Sequence, residues 1–537
     1  MDLTGGGPVV VRQSDRRRVL HQGAHAEAPV LGRQRPRGQV MAGAAVALAA
    51  ALAVTVMVFD GGSGKGLPRG AVADAVTRLP APTTVVLADP PGLTAAGVAS
   101  AMFASAPVAA VANANSAADI AKAAVSAERA HVPLLLVAAS SGSAVLRTTT
   151  RSLGTRALVD FGVSIGFLRA QLPRVLVTTR LAALAAAARV PTPLRRVVLL
   201  VHAHDTTAGR IAAAATARAA GARVIDVAGW DPRADPAAIA ALAAAKPAHV
   251  IAIGKGFGTA RLLAGRIAVA ETGVQLPAGG EVLFPGHRLL ALYGHPGASA
   301  LGALGQQGLS ASIARIRAIA ASYRPLSSVP VVPAFEIIAT VAQASPGPDG
   351  SYSYESPESA LWPWVRRATA AGMYVILDLQ PGRASLLAQA KRYQQMLALP
   401  DVGLAIDPEW KLYPGERPLQ QIGSVSTVEI NGVIRWLADL TARLHLPQKL
   451  LVLHQFKLSM ITEEQRLDTR HDDLAIVIHM DGQGTPGEKL QTWRAVTGAA
   501  PPGVFFGWKN FLVKDHPMLS PAQTMSNTPQ PVMISYQ

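Results

Sequence analysis

Eight apolar runs, each about one strand long, follow one another down the second half of this chain. They are RLLALYGH (288–295), VVPAFEII (331–338), MYVILDLQ (373–380), VGLAIDPE (402–409), KLLVLHQF (449–456), LAIVIHMD (474–481), GVFFGWKN (503–510) and VMISYQ (532–537). Helical stretches separate most of them: 309–323, 358–372, 385–399 and 428–444. A strand that reads as continuously apolar is buried on both faces, which is the condition of a parallel strand covered by its crossover helices. Eight such units over about 250 residues is the count and length of a (β/α)₈ barrel. Residues 285–537 are therefore expected to form a TIM barrel.

In such barrels the C-terminal ends of the strands carry the active-site face. Here those ends deliver Tyr293 and His295, Glu336, Asp378 and Gln380, Asp407 and Glu409, His454 and Gln455, His479 and Asp481, Trp508 and Lys509, and Tyr536. Stability alone requires no such ring, so it reads as a functional pocket. Alternation puts Asp407 and Glu409 on one side of their strand, with backbones about 6.6 Å apart. Pro408 cannot donate a ladder hydrogen bond, so regular pairing should fail there and lift Glu409 into the rim. With Asp378 ending the neighbouring strand, three close carboxylates repel and at least one should stay protonated. Cleavage of a glycosidic bond needs that combination, an acid beside an ionised carboxylate. The catalytic candidates are thus Glu409, Asp407 and Asp378. Trp410, Trp508 and Tyr536 read as flat platforms for sugar rings, and the rest of the ring as substrate-binding.

The Asp-Pro-Glu at the fourth strand resembles the Asp-x-Glu of chitinases and of Chalaropsis-type muramidases, and the resemblance implies Glu409 as general acid. IHMDG (478–482) is similar to the Met-x-Tyr-Asp motif on the sixth strand of chitinases, through Met480 and Asp481. The aspartate run that precedes the motif in chitinases is missing, since GLAI stands before Asp407. The words QPGR (380–383), DPEW (407–410), LHQF (453–456) and GWKNF (507–511) resemble a family of uncharacterised actinobacterial membrane-anchored or secreted proteins, a likeness that implies no activity.

Residues 81–280 have a different texture, with short β-branched runs between Ala-rich helical stretches such as 116–130. Runs at 83–89, 107–114, 133–139, 174–179, 195–203, 222–229 and 249–256 predict a Rossmann-like doubly wound α/β region. Segments Val85–Val137 and Val197–Ile253 share a strand–helix–strand–helix–strand order, which suggests duplicated lobes that bind wall or ligand. The first resembles cell-wall-binding repeat 2. GKGFG (254–258) follows a strand but lacks the dinucleotide spacing, so it reads as a tight turn. His202 and His204 read as strand-end polar residues.

Residues 41–59, MAGAAVALAAALAVTVMVF, carry no charge and at 1.5 Å per residue would span about 28 Å, close to a bilayer core. Residues 1–40 read as a disordered basic tail whose arginines place it in the cytoplasm, and 60–80 as a linker. An uncleaved anchor and a signal peptide compete for this segment; the length of the span and of the residues before it favours the anchor. The expected location is therefore the cell membrane, single-pass, with the main body extracytoplasmic on either reading. The chain has no cysteine, which excludes disulfides, thiol nucleophiles and thiolate metal sites. Its net charge of +16 comes from scattered basic residues without a nucleic-acid-binding signature, so no nucleic-acid partner is expected.

Three functions compete. One is an envelope-anchored glycoside hydrolase acting on cell-wall polysaccharide or peptidoglycan, without cofactor or metal. A second is a non-catalytic glycan-binding protein. The third is a metal-dependent hydrolase or deacetylase using His295, His454, His479 and Asp481. LDTRHDDL (467–474) reads as a lid, and 514–531 as a Pro-rich flap over the pocket.

Overall fold

The computed structural model describes residues 74–81, 83–138, 143–185 and 190–537. The predicted basic tail, membrane span and most of the linker lie outside these residues. No helix among the described residues is long and apolar enough to cross a membrane. The last residues of the predicted linker already belong to the fold, because Val76–Thr77 pairs antiparallel with Phe103–Ser105.

The front region contains two four-stranded parallel sheets. In the first, the order is Leu134–Val137, Val108–Asn113, Ala157–Phe161, Leu176–Thr178. In the second, it is Thr84–Leu87, His249–Ile253, Val197–His202, Arg223–Val227. Both lobes share one pattern: the earliest of three consecutive strands is central, the next flanks it on one side, and the third on the other. The strand at Thr84–Leu87 does not pair with the sheet it precedes. It completes the second lobe beside His249–Ile253, so the repeat does not begin at Val85. Ala157–Phe161, unanticipated from sequence, takes the place assumed for it in the first lobe. Its Asp160 is nearly buried and its carboxylate accepts from Val163 N at 2.9 Å, so a polar residue interrupts the apolar run that signals a strand.

Helices Pro91–Met102, Ala117–Ala130 and Ala208–Ala219 pack against one another, and their alanines merge the cores of the two lobes. Small side chains permit this approach. Thr216 Oγ1, on the last helix, even accepts from Leu134 N of the neighbouring lobe at 3.1 Å. Serine and threonine start the latter two helices: Ser116 accepts from Asp119 N and Thr207 from Arg210 N, satisfying donors the helix itself cannot.

The second half is a closed parallel barrel of eight strands: Arg288–Gly294, Val331–Ala342, Tyr374–Leu379, Val402–Ile406, Lys449–Gln455, Leu474–Met480, Phe505–Asn510 and Met533–Tyr536. The first strand pairs with both the second and the eighth, which closes the sheet. Helices Leu309–Tyr323, Glu358–Ala370, Thr427–Arg443 and Pro486–Ala499 cover its outside, and one large core forms between them and the outward strand residues. Inward residues form a separate core, with Ala291, Ala334, Ile376, Ala405, Val452 and Val477 on consecutive strands. Leu276, Leu283 and Phe284, from the connector between the two regions, belong to that same inner core at the N-terminal end of the barrel.

Arg233, almost fully buried, fastens the front region to the barrel. Its Nη2 lies 2.8 Å from Asp231 Oδ2 and 2.7 Å from Asp472 Oδ2, and Arg266 Nη2 lies 2.7 Å from Asp472 Oδ1. The segment 467–474 is therefore a docking element at the foot of the sixth strand, not a lid over the mouth. The segment 514–531 is anchored at points although more than half of its residues are exposed: Pro521–Met525 forms a short helix with a capping box, and Thr524 and Met525 are buried. Only Lys514 of it lines the cleft described next.

Candidate functional site

Strand alternation sorts the predicted ring into inward and outward members. Tyr293, Glu336, Asp378, Asp407, His454, His479, Asp481 and Lys509 gather inside the barrel at its C-terminal end. Gly507 makes room for this layer: a Cβ there would stand 2.3 Å from His479 Cδ2. Above it opens a cleft of about 440 Å³, lined among others by Tyr293, Gln380, Asp407, Glu409, Trp410, Asp481 and Lys509.

Three predicted site residues face the other way. Trp508 is fully buried in the outer core, its indole N–H donating to Asn510 Oδ1 at 2.8 Å and its ring edge-on to Trp493. Tyr536 pairs with Tyr323, hydroxyl to hydroxyl at 2.6 Å, on that same outer side. Gln455 donates from Nε2 to Glu464 Oε2 at 2.8 Å. None of the three can serve a substrate in the cleft. Each neighbours an inward residue, and successive strand residues point to opposite faces. Of the proposed sugar platforms, only Trp410 reaches the cleft. It does so from the 3₁₀ turn Pro408–Trp410, where strand pairing stops at the proline. His295 is in the loop after the first strand, 3.1 Å from Ser356 Oγ, and does not line the cleft.

His454 organises the inward layer. Its Nε2 lies 3.0 Å from Glu336 Oε1 and its Nδ1 3.3 Å from Asp481 Oδ2. Burial opposes a charge on this ring, but Glu336 and Asp481 beside it hold its pKa well above the ordinary imidazole value. His479, 3.2 Å from Ser535 Oγ, is pushed far the other way, by burial and by the His454 charge. Asp378 is fully buried beneath the cleft, where it accepts from Tyr293 OH at 3.0 Å; burial, with Glu336 adding to it against the pull of His454, lifts it to about 6. It does not line the cleft.

The carboxylates at the surface of the cleft are shifted in opposite directions. Burial would raise Asp481, yet the hydrogen bond and charge of His454, together with Lys509 Nζ at 3.8 Å, hold it below the usual value. Burial, and then the charge of Asp481, pushes Glu409 up to about 7. Asp407 is driven well above the carboxylate range by burial and by Glu409 and Asp378, and its buried Oδ1 has no hydrogen-bond partner. Asp481 Oδ1 and Trp410 Nε1 are likewise unpaired, so several polar atoms are left free at the cleft.

One carboxylate oxygen from each of Asp407, Glu409 and Asp481 lies within 4.8 Å of the other two, a group able to ligate a divalent ion. Two fixed cations already compensate this charge: His454, and Lys509, whose Nζ also sits 3.6 Å from the Tyr293 ring centroid. The ligand set of His295, His454, His479 and Asp481 is not assembled, because both nitrogens of His454 face carboxylates and His295 stands aside.

In the front region, His202 stacks on Trp230 at 4.3 Å, and His204 N donates to His202 Nδ1. The glycines of GKGFG serve this cluster: a Cβ on Gly254 or Gly256 would meet the Trp230 ring at 2.7 or 2.1 Å. The motif is a packing turn rather than a phosphate cradle.

The sequence reading placed Asp481 among the substrate-binding residues and missed that its pKa is held low beside the raised Glu409. That shift depends on His454 and Lys509, which no local motif connects to Asp481. Comparison with family models, with curated proteins and with solved structures returns no match.

Proposed function

We propose that the barrel is a glycoside hydrolase in which Glu409 is the general acid and Asp481 the ionised partner. The observation that carries this reading is the divergence of two adjacent carboxyls, Glu409 raised to about 7 and Asp481 held low, with oxygens within 4.8 Å. Environments that push neighbouring pKa values apart assign the acid and the base. Pairs this close match the retaining geometry of about 5–5.5 Å between carboxyls better than the wider spacing that admits a water.

In the first step Glu409 gives its proton to the glycosidic oxygen. The C–O electron pair leaves with that oxygen, and Asp481 meets the positive charge on the anomeric carbon, forming a glycosyl ester. In the second step Glu409, now a carboxylate, takes a proton from water, which displaces Asp481. His454 keeps Asp481 ionised and oriented, and the protonated Asp407 can donate a hydrogen bond to the substrate. The charge-free segment 41–59 supports action on a cell-envelope glycan outside the cytoplasmic membrane.

The test measures reducing ends released from purified cell-wall glycan and from chitin-type oligosaccharides by the wild type, Glu409→Gln and Asp481→Asn. Release by the wild type and its loss in both variants supports the assignment. Retained activity in Glu409→Gln would sink it, and wall binding without release would make the barrel a glycan-binding module.

A further inference from the structure

The cleft has two chambers. Glu409, Trp410 and Leu419 line both the cavity of about 440 Å³ and a second of about 310 Å³, completed by Leu412, Pro418, Ile422 and the amides Gln420 and Gln421. Each is of the size that holds a small organic ligand, about 300–1,000 Å³. Their chemistry differs. The first contains Asp407, Asp481 and Lys509; the second has Glu409 as its only charged residue, amid apolar walls and two amides. The loop that builds the second chamber exposes Tyr413, Leu419 and Ile422, and holds Leu419 at φ +64° with 84% of its surface exposed. A bulky residue rarely takes that conformation, and such strain persists where function uses it.

A pyranose ring has apolar C–H faces and hydroxyl edges, and walls of Trp, Leu, Pro and Ile with amides between them complement both. Resting on the glycosidase reading, we infer that the second chamber binds the leaving-group sugar, so that the substrate spans both chambers and is cut at the bond between them. The general acid must reach the oxygen between two rings, and Glu409 is the only carboxyl common to both linings. The ring whose anomeric carbon reacts occupies the larger chamber, beside Asp481. The proton of Glu409 passes to the bridging oxygen, the C–O electron pair goes with it, and the departing sugar is left in the smaller chamber.

The experiment uses Glu409→Gln, which retains the cleft without turnover. Isothermal titration measures its binding to β-1,4-linked N-acetylglucosamine oligomers of graded length and to size-fractionated glycan strands from purified cell wall. Two rings held by one molecule bind with an effective-concentration advantage, so affinity should rise on the order of 10²-fold from a single sugar to an oligomer that fills both chambers. Adding Ile422→Asp, at a part-exposed loop position, should remove that gain. Length-independent affinity, or an Ile422→Asp loss equal for single sugars and oligomers, overturns the inference and leaves the glycosidase reading standing. Absence of binding by any saccharide overturns both.

Discussion

Glu281 sits in the connector between the front region and the barrel, fully buried, with neither carboxylate oxygen hydrogen-bonded. Its backbone is fixed on both sides: its N–H donates to Arg233 O and its carbonyl accepts from Gln448 N, each at 2.8 Å. Burial raises its pKa from 4.5 to about 8, against the opposing charge of Arg233. A raised folded-state value favours folding fully below pH 4.5, and that contribution is lost as pH rises through 8. At 1.36 kcal/mol per pH unit, the loss across this window is about 5 kcal/mol. The perturbation is Glu281→Gln, which keeps the shape of the protonated acid and cannot ionise. Urea midpoints of wild type and variant, taken at intervals from pH 4.5 to 9, should nearly coincide at the acid end. They should then diverge, with the variant the more stable protein above pH 8. A difference that does not change with pH would refute the reasoning, because a carboxyl ionised throughout, or never, contributes no slope.

Glu409 must be protonated to act as an acid, so turnover should fall as pH rises through about 7, and this alkaline limb is read from the pH profile of kcat/KM. Gly256→Ala would drive a methyl into the Trp230 ring, costing about 1–3 kcal/mol in denaturant titration and leaving barrel activity intact. Arg233→Met leaves the part-exposed Asp231 and Asp472 with Arg266 as their remaining cation, a loss of roughly 1–3 kcal/mol. Limited proteolysis should then cleave the connector around 271–287 faster than in the wild type.

The barrel was legible because its signal is local and repeated. Eight apolar runs, each carrying a polar or aromatic residue at or near its end, leave few ways to bury both faces of every strand. The inward members of the ring were legible for the same reason, since Asp378, Asp407, His454 and Lys509 stand at or near the ends of apolar runs. Adjacent pairs were where the reading failed: His454 with Gln455, and Lys509 with Trp508. Only one residue of each pair can face the barrel axis, and which one depends on the phase of the pleat against neighbouring strands. Likewise, the second lobe takes its edge strand from Thr84–Leu87, more than a hundred residues before Val197, and no periodicity reports a pairing over that distance.

The sequence by itself determined the eight strands of the barrel and the gathering of acids and imidazoles at one end of it, because apolar periodicity and strand polarity are properties of short segments. The tertiary structure alone decided which of those groups are charged. Asp407, Glu409 and Asp481 are chemically alike as residues. Asp481 is held low because the fold brings it the hydrogen bond and charge of His454 and the charge of Lys509 from other strands. Burial and the neighbouring carboxylates outweigh the pull of His454 at Asp407, and of Lys509 and His454 at Glu409, and push both up. Ionisation inside a protein is set by desolvation and by neighbouring charge, and both exist only after the chain has closed on itself.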